Sequence, residues 1–466
     1  MHTRLILFAL SVSLAAQDVP RGRLEPLLAE AVRRNPEILA ARKKLEAMRQ
    51  KPAMERSLPD PMVSLSYASV NGPFPGQGLG REPQSNIGFM VSQTLPAHGK
   101  LRLRAAIASK EASGMEQDYW MAELSVVSRL KQAWHKLHHS YEMLDLLDRN
   151  RELLQRMTKI AEARYALGKA AQQDVLRSQS QLILLEARRE KYEQERESRE
   201  AEINSLLARP LDTRVPRPYD VAPAEPFVSL DTLYRQAEAH APVLAKEKSG
   251  VERAELALNL ARKDGAIDYT VGGGVATMGS MGTMYQAKLD FNLPPFTRSR
   301  QRAAVLEQLS EVERARRSYQ ATGNQMLFRI KDDWLQSSAS WRLMRLYSTT
   351  MVPQATVTLE SSLTAYENGQ IDFMNVLASL MSVLDAEMAY HEESLNYHLA
   401  LLRLEETAGV PLVNDDPPED GQGATGTDEG KHLTDTGNHR SLTLAAPFPT
   451  GATPPMATTP KREERR

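Results

Sequence analysis

Cysteine is absent from the 466 residues. That excludes disulfides, thiolate metal sites and cysteine nucleophiles, and it removes the attachment point of a lipoprotein anchor. An excess of one charge is also missing: 58 Lys and Arg stand against 59 Asp and Glu, a formal net charge of −1. With no basic surplus to neutralise phosphates, no nucleic-acid partner is expected. Beyond the N-terminus no stretch approaches the roughly 20 apolar residues of a membrane helix. Helix breakers are scarce in one long interval, since no proline lies between Pro96 and Pro210.

Catalytic groups are missing too, because an enzyme needs convergent acids, bases or ligands. His135 with His138 or His139 has metal-ligand spacing, but no third ligand accompanies them in sequence, and the surface of a coiled coil explains them. Met278, Met281 and Met284 lie between two expected strands. Thioethers suit Cu(I), although filling apolar gaps is their commoner role. Gly272-Gly273-Gly274 opens no helix and is not a phosphate loop. Neither a metal nor a cofactor is expected.

What is present begins with an apolar run from Leu5 to Ala16 behind His2 and Arg4, closing on Ser13-Leu14-Ala15. This reads as a secretory signal peptide over residues 1–16. The mature chain is therefore expected to be exported, either soluble in the periplasm or held in a membrane by strands.

The rest is written twice. Leu27, Ala31, Pro36 and Ile38 recur as Leu233, Ala237, Pro242 and Leu244. Leu95-Pro96, Lys100, Arg102 and Arg104 recur as Leu293-Pro294, Arg298, Arg300 and Arg302. Lys131 and Trp134 recur as Lys331 and Trp334, and Tyr165, Gly168 and Val175-Leu176 as Tyr366, Gly369 and Val376-Leu377. The offset stays near about 200 residues throughout, the mark of a tandem duplication. Residues 17–211 form the first repeat and 212–413 the second. The segment 414–466, rich in Pro, Gly, Thr and charge, is expected to be a disordered tail.

Each repeat reads helix, two strands, long helical stretch. Leu130, Trp134, Leu137, Tyr141 and Leu144 follow a four-three spacing, the seam of a coiled coil. The stretch from Ala97 to Ala166 would be roughly 105 Å long, with its break at Tyr165-Ala166-Leu167-Gly168. Leu24 to Ser57 stacked on Lys169 to Ala208 would match it, and Pro353 is expected to kink the second long segment.

Four segments alternate with period two. Their apolar faces carry Val63, Leu65 and Tyr67; Ile87, Phe89 and Val91; Ile267, Tyr269 and Val271; and Tyr285, Leu289 and Phe291. Lipid outside and lumen inside demand such a pattern, and a half-buried soluble sheet shows it as well. In lipid four strands cannot remain open-edged, so several chains must share a barrel. Three chains would supply twelve strands, an allowed size.

These features resemble the TolC family of outer-membrane efflux ducts over residues 20 to 413. The likeness rests on Asn35-Pro36-Glu37, Pro59-Asp60-Pro61, Gln93-Thr94-Leu95-Pro96 with Gly99-Lys100, Arg164-Tyr165 with Gly168, and Asp174-Val175-Leu176, followed by Tyr366 with Gly369 and Val376-Leu377. It implies a mainly α fold with a membrane β-barrel part: a homotrimer with a 12-stranded barrel in the outer membrane and an α-helical barrel crossing the periplasm. It also implies a periplasmic adaptor and an inner-membrane pump as partners, and no enzymatic activity. Gly99-Lys100 and Asp372-Phe373 resemble most the heavy-metal branch served by resistance–nodulation–division pumps; drug or solvent efflux and type I protein secretion are the alternatives. A soluble periplasmic coiled-coil scaffold is the alternative of another class.

The resemblance also places the adaptor contact and the gate at the helical turns, with Tyr165, Gly168, Asp174, Tyr366, Gly369 and Asp372 as candidates. Asp174 and Tyr366 match a pair that holds such ducts shut. The family's second-copy arginine is Ile371 here, and its lumen aspartates fall at Asn375 and Ala378, which puts a charge-selective constriction in doubt. Asp174 either takes part in the gate or merely caps the descending helix, as Asp372 would in the other copy.

Overall fold

A computed structural model describes residues 21–70, 72–220, 223, 228–291 and 298–413. The expected signal peptide, the Leu293-Pro294 pair and the tail lie outside the described residues. Proline sets the first divisions. Asn35, forced toward an extended backbone by Pro36, separates α1 (Glu25–Arg34) from α2 (Pro36–Met48). Its side chain caps α2 by accepting from the Glu37 and Ile38 N–H groups at 2.8 and 3.3 Å, and its amide donates to the Leu206 carbonyl at 2.9 Å. A third piece, α3 (Lys51–Arg56), follows. The single rod expected from Leu24 to Ser57 is therefore three stacked helices. In the second copy Ala241-Pro242 makes the same division, between α6 (Leu230–His240) and α7 (Pro242–Lys263).

Where breakers are missing the helix runs on. The helix α4 (Lys100–Ala166) is continuous for 67 residues, about 100 Å at 1.5 Å per residue. It turns into α5 (Gln172–Leu206). In the second copy α8 (Arg298–Leu346) passes through a π-helical turn at Tyr347–Met351 into α9 (Val352–Glu367), then α10 (Phe373–Ala408). The irregularity expected at Pro353 falls in the turn before it. A proline ring crowds the carbonyl four residues back and offers it no N–H, so the preceding turn widens.

The repeated apolar positions are the core. Leu27, Ala31 and Ile38 pack with Leu130, Trp134 and Leu137 of α4 and with Ile203 at the end of α5. Leu233, Ala237 and Leu244 pack with Met326 and Ile330 of α8 and Leu404 of α10. A third cluster joins the copies at the far end, bringing Leu146, Leu154 and Ala161 of α4 together with Leu185, Leu359, Phe373 and Leu380. A nearly buried ion pair, Lys131 with Glu405 at 2.8 Å, also links α4 to α10.

The four main strands are β2 (Met62–Ala68), β3 (Asn86–Leu95), β5 (Tyr269–Thr277) and β6 (Thr283–Phe291); β1 (Arg21–Gly22) and β4 (Arg217–Pro218) form a separate two-residue ladder. The large sheet is antiparallel in the order β2-β3-β5-β6, so the two copies pair through β3 and β5. β5 begins at Tyr269, two residues later than the alternation suggested. Asp268 is taken up elsewhere, as described below, and Ile267 precedes the ladder.

Candidate functional site

Register puts the alternating residues on common faces. Leu65 lies opposite Phe89, Phe89 opposite Val275, and Val275 opposite Tyr285. Val63 faces Val91, Tyr67 faces Ile87, Val271 faces Leu289, and Tyr269 faces Phe291. Directly opposed residues share a face, so all eleven strand candidates in the ladder lie on one side of the sheet. Every one of them is exposed. The other face carries Ser64, Ser66, Ser92, Gly88, Gly272 and Thr270, which are small or polar.

The junction of sheet and shaft is built around Asp268. One carboxylate oxygen accepts from the Ala97 N–H at 2.6 Å and the other from the Lys100 ammonium at 2.9 Å. Lys100 is buried, and it also donates to the Ala266 carbonyl at 3.2 Å. Burial alone would raise the Asp268 pKa, but these donors outweigh it and hold the carboxyl below its ordinary value. Sequence alone gave Lys100 a place in the repeat and in Gly99-Lys100 but no partner, and gave Asp268 no role. The signal available was an opposite-charge pair, one just past the end of β3 and the other just before the start of β5, which pair with each other.

At the opposite end of α4 the chain turns twice by the same device. Gly168 has φ +69° and Gly369 φ +74°. The Gly168 N–H bonds to the Tyr165 carbonyl at 2.9 Å and the Lys169 N–H to that of Arg164 at 2.8 Å; Gly369 and Gln370 repeat this on Tyr366 and Ala365 at the same distances. Both are Schellman endings, in which glycine supplies the left-handed residue. The long helices stop there for this reason.

The side chains around the two turns differ. Tyr165 is 46% exposed and Tyr366 only 5%. Tyr366 meets Phe373 edge-on at 5.7 Å, and the Arg164 guanidinium lies 4.5 Å over its ring. Arg164 also donates to the Tyr366 carbonyl. The Tyr366 hydroxyl is buried without a hydrogen-bond partner among the described residues. Burial pushes its pKa up, Arg164 works against this, and the Asp174 carboxylate adds to it.

Asp174 therefore lies within electrostatic reach of Tyr366, but no hydrogen bond joins them. Nor does it cap α5: the N-cap is Ala171, with no side-chain bond, and Asp174 stands in the first turn. Asp372 does cap α10, accepting from the Asn375 N–H at 3.1 Å and from its side-chain amide at 2.7 Å. Arg164, which sequence reasoning quoted but did not place in the site, is the residue that joins the turns. A cation in the last turn of a helix was the available signal.

The three histidines of α4 do not lie on a free coiled-coil surface. His135, His138 and His139 line a cavity of about 140 Å³ together with His391 and His398 of α10 and with Asp220, just past β4. Sequence spacing could not show this because the other two imidazoles come from the second copy. Burial lowers the pKa of His138 and His391 and takes His139 down to about 4. Met278 precedes and Met281 ends a 3-10 turn (Gly279–Met281) between β5 and β6, and Met284 lies within β6. No described helix is long and apolar enough to cross a membrane.

Residues 27–209 match the sequence model of the outer membrane efflux protein family. No curated protein matches the chain. Among solved structures, the outer membrane protein VceC from Vibrio cholerae has a TM-score of 0.72 at 17% identity, covering 84% of this chain and 97% of its own. The Campylobacter jejuni CmeC outer membrane channel gives 0.70 at 16%, covering 83% and 85%. CusC gives 0.72 at 13%, covering 84% and 94%. At these identities the likeness speaks for the fold. The family and these neighbours are channel proteins rather than enzymes.

Proposed function

We propose that this chain is a member of the outer membrane efflux protein family and one protomer of a trimeric exit duct. The duct stands in the outer membrane and reaches into the periplasm. The observation that carries the trimer is a sheet with two unpaired edges, β2 and β6, and one mainly apolar face on which eleven large side chains are exposed. Open edges are not tolerated in lipid, so β2 of one chain pairs with β6 of the next until the ring closes at twelve strands. The apolar face meets lipid, and the small and polar face lines the lumen. Three copies of α4 and its partners then enclose a shaft about 100 Å long.

The test is assembly. Chemical crosslinking in detergent extracts of the outer membrane should give a trimer; monomers and dimers alone would end this reading. Phe89→Arg or Leu289→Arg should lower trimer yield, at a cost of about 2 to 4 kcal/mol if the site is near mid-membrane. Unchanged yield in both would mean that these residues do not face lipid.

As an exit duct the chain takes substrates from an inner-membrane pump through a periplasmic adaptor, which meets the turns at Gly168 and Gly369. Heavy-metal cations are the cargo suggested by Gly99-Lys100 and Asp372-Phe373. Each of those residues also has a structural occupation: Lys100 holds Asp268, Asp372 caps α10, and Phe373 is fully buried. The metal reading therefore stands on resemblance alone, beside drug or solvent efflux and protein secretion. Growth of a deletion strain on zinc, copper and cobalt salts, against detergents and antibiotics, decides the class.

A further inference from the structure

The histidine cavity belongs neither to the barrel nor to the turns, and the transport role makes no use of it. It lies where the segment between the two repeats rests on both of them. His138 and Glu142 come from α4, one turn apart and so on one face. His391 comes from α10, and Asp220 follows β4 in the connecting segment.

The His138 Nε2 atom is 3.7 Å from an Asp220 carboxylate oxygen and 4.0 Å from one of Glu142. Both separations are too long for a hydrogen bond. Two ligands of one tetrahedral ion with bonds of 2.0 to 2.1 Å stand roughly 3.3 Å apart, so closure by less than about an ångström would turn these contacts into the edges of a coordination shell. As they stand, no three of the described imidazoles and carboxylates are close enough to share an ion. The adjoining His139 has a buried Nε2 with no hydrogen-bond partner. A buried unsatisfied nitrogen in a polar cavity points to an occupant.

We propose that this cavity binds one divalent transition-metal ion of the zinc class, held by His138, Glu142, Asp220 and His391. Two imidazoles with two carboxylates suit Zn²⁺, Co²⁺ or Ni²⁺ and disfavour Mg²⁺, which prefers oxygen ligands and water. Arg217 competes for Glu142 at 3.3 Å, but it keeps its 2.6 Å contact to Asp145 when Glu142 turns to the ion. The ion would fasten the connecting segment to α4 and α10, a structural cross-link in the middle of the shaft. It does not depend on what the duct carries, so a duct for drugs would hold it as well.

The test uses the full-length trimer in detergent, with any affinity tag removed. Titration with Co²⁺ should give visible d–d absorption saturating at one ion per chain. Zn²⁺ should displace it and raise the unfolding temperature, because a ligand of the folded state stabilises it; Mg²⁺ should do neither. H138Q, H391Q and D220N should each weaken Co²⁺ binding about tenfold or more, while H135Q should leave it unchanged. The proposal is overturned if wild-type protein shows no Co²⁺ band, or if H138Q and H391Q bind like the wild type. Susceptibility to metal salts or drugs reports on cargo instead, so failure of that reading and failure of this one are separable.

Discussion

The two turns at the far end of the shaft share a backbone and differ in everything attached to it. Each ends a helix with glycine at positive φ and the same pair of hydrogen bonds. At the first turn Tyr165 stands in solvent and α5 starts from Ala171 without a side-chain cap. At the second turn Tyr366 is buried beneath Arg164, and Asp372 caps α10. Duplication preserved the positions that make the turn, and the copies diverged where one turn packs on the other. Arg164 has Ala365 as its counterpart, so only the first copy reaches across. The second turn is fastened and the first is left free, which suits the first to an adaptor's surface.

The largest break in this comparison should come from Gly369→Val. A β-branched side chain at positive φ costs about 1 to 3 kcal/mol, and its Cβ would lie 3.6 Å from the Arg164 Nη2. Efflux should be lost with trimer assembly nearly intact, as read by susceptibility assays beside a trimer blot. Gly168→Val carries the same backbone strain but meets nothing within 4 Å, so its efflux defect should be milder. Equal defects would mean that the contact with Arg164 is irrelevant.

Next in size is Arg164→Ala. It removes a cation–π contact and a charged hydrogen bond, together about 1 to 3 kcal/mol of local stability. Hydrogen exchange should quicken at residues 366–371 and hardly change at 165–170; uniform quickening would show that the turns are not separately fastened.

The gate comes third. Asp174 has no capping bond, the buried Tyr366 hydroxyl has no hydrogen-bond partner among the described residues, and the Asp174 carboxylate lies within its electrostatic reach, so this pair is the one to test. Asp174→Ala and Tyr366→Phe should each raise single-channel conductance in planar bilayers, and the double change should add little. Unchanged conductance in all three variants would leave the gate to other residues.

The smallest effects test the caps. Asp372→Ala should cost about 1 kcal/mol, while Asp174→Ala should cost only about 0.3 to 1 kcal/mol, from the helix dipole. Ala171→Asp should add stability, bringing the first turn closer to the second. Denaturation midpoints would rank the three, and an Asp174→Ala cost as large as that of Asp372→Ala would contradict the assignment of caps.

Much of this was legible before the fold because it depends on near neighbours. A breaker-free interval can only continue as helix, so the course of α4 followed from its composition. Gly168 and Gly369 announced the turns because only glycine adopts that backbone cheaply. Strand alternation marked which side chains share a face, since the period of two fixes it. The same reasoning left a cap at Asp174 open beside the gate, because a first-turn aspartate and an N-cap aspartate differ by a few positions that local pattern does not resolve. It also read the rod from Leu24 to Ser57 as continuous, although Asn35-Pro36 carries a stop and a start side by side.

Sequence by itself determined the duplication, the course of α4, the glycine turns and the apolar strand faces, all set by steric and periodic rules acting within a few residues. Only the tertiary structure decided that Arg164 covers Tyr366, that Asp268 holds Lys100, and that His135, His138 and His139 meet His391 and His398. Each of those contacts joins residues 160 or more positions apart. Their distance is set by how α4, α10 and the sheet pack together, and no local pattern in the chain carries that information.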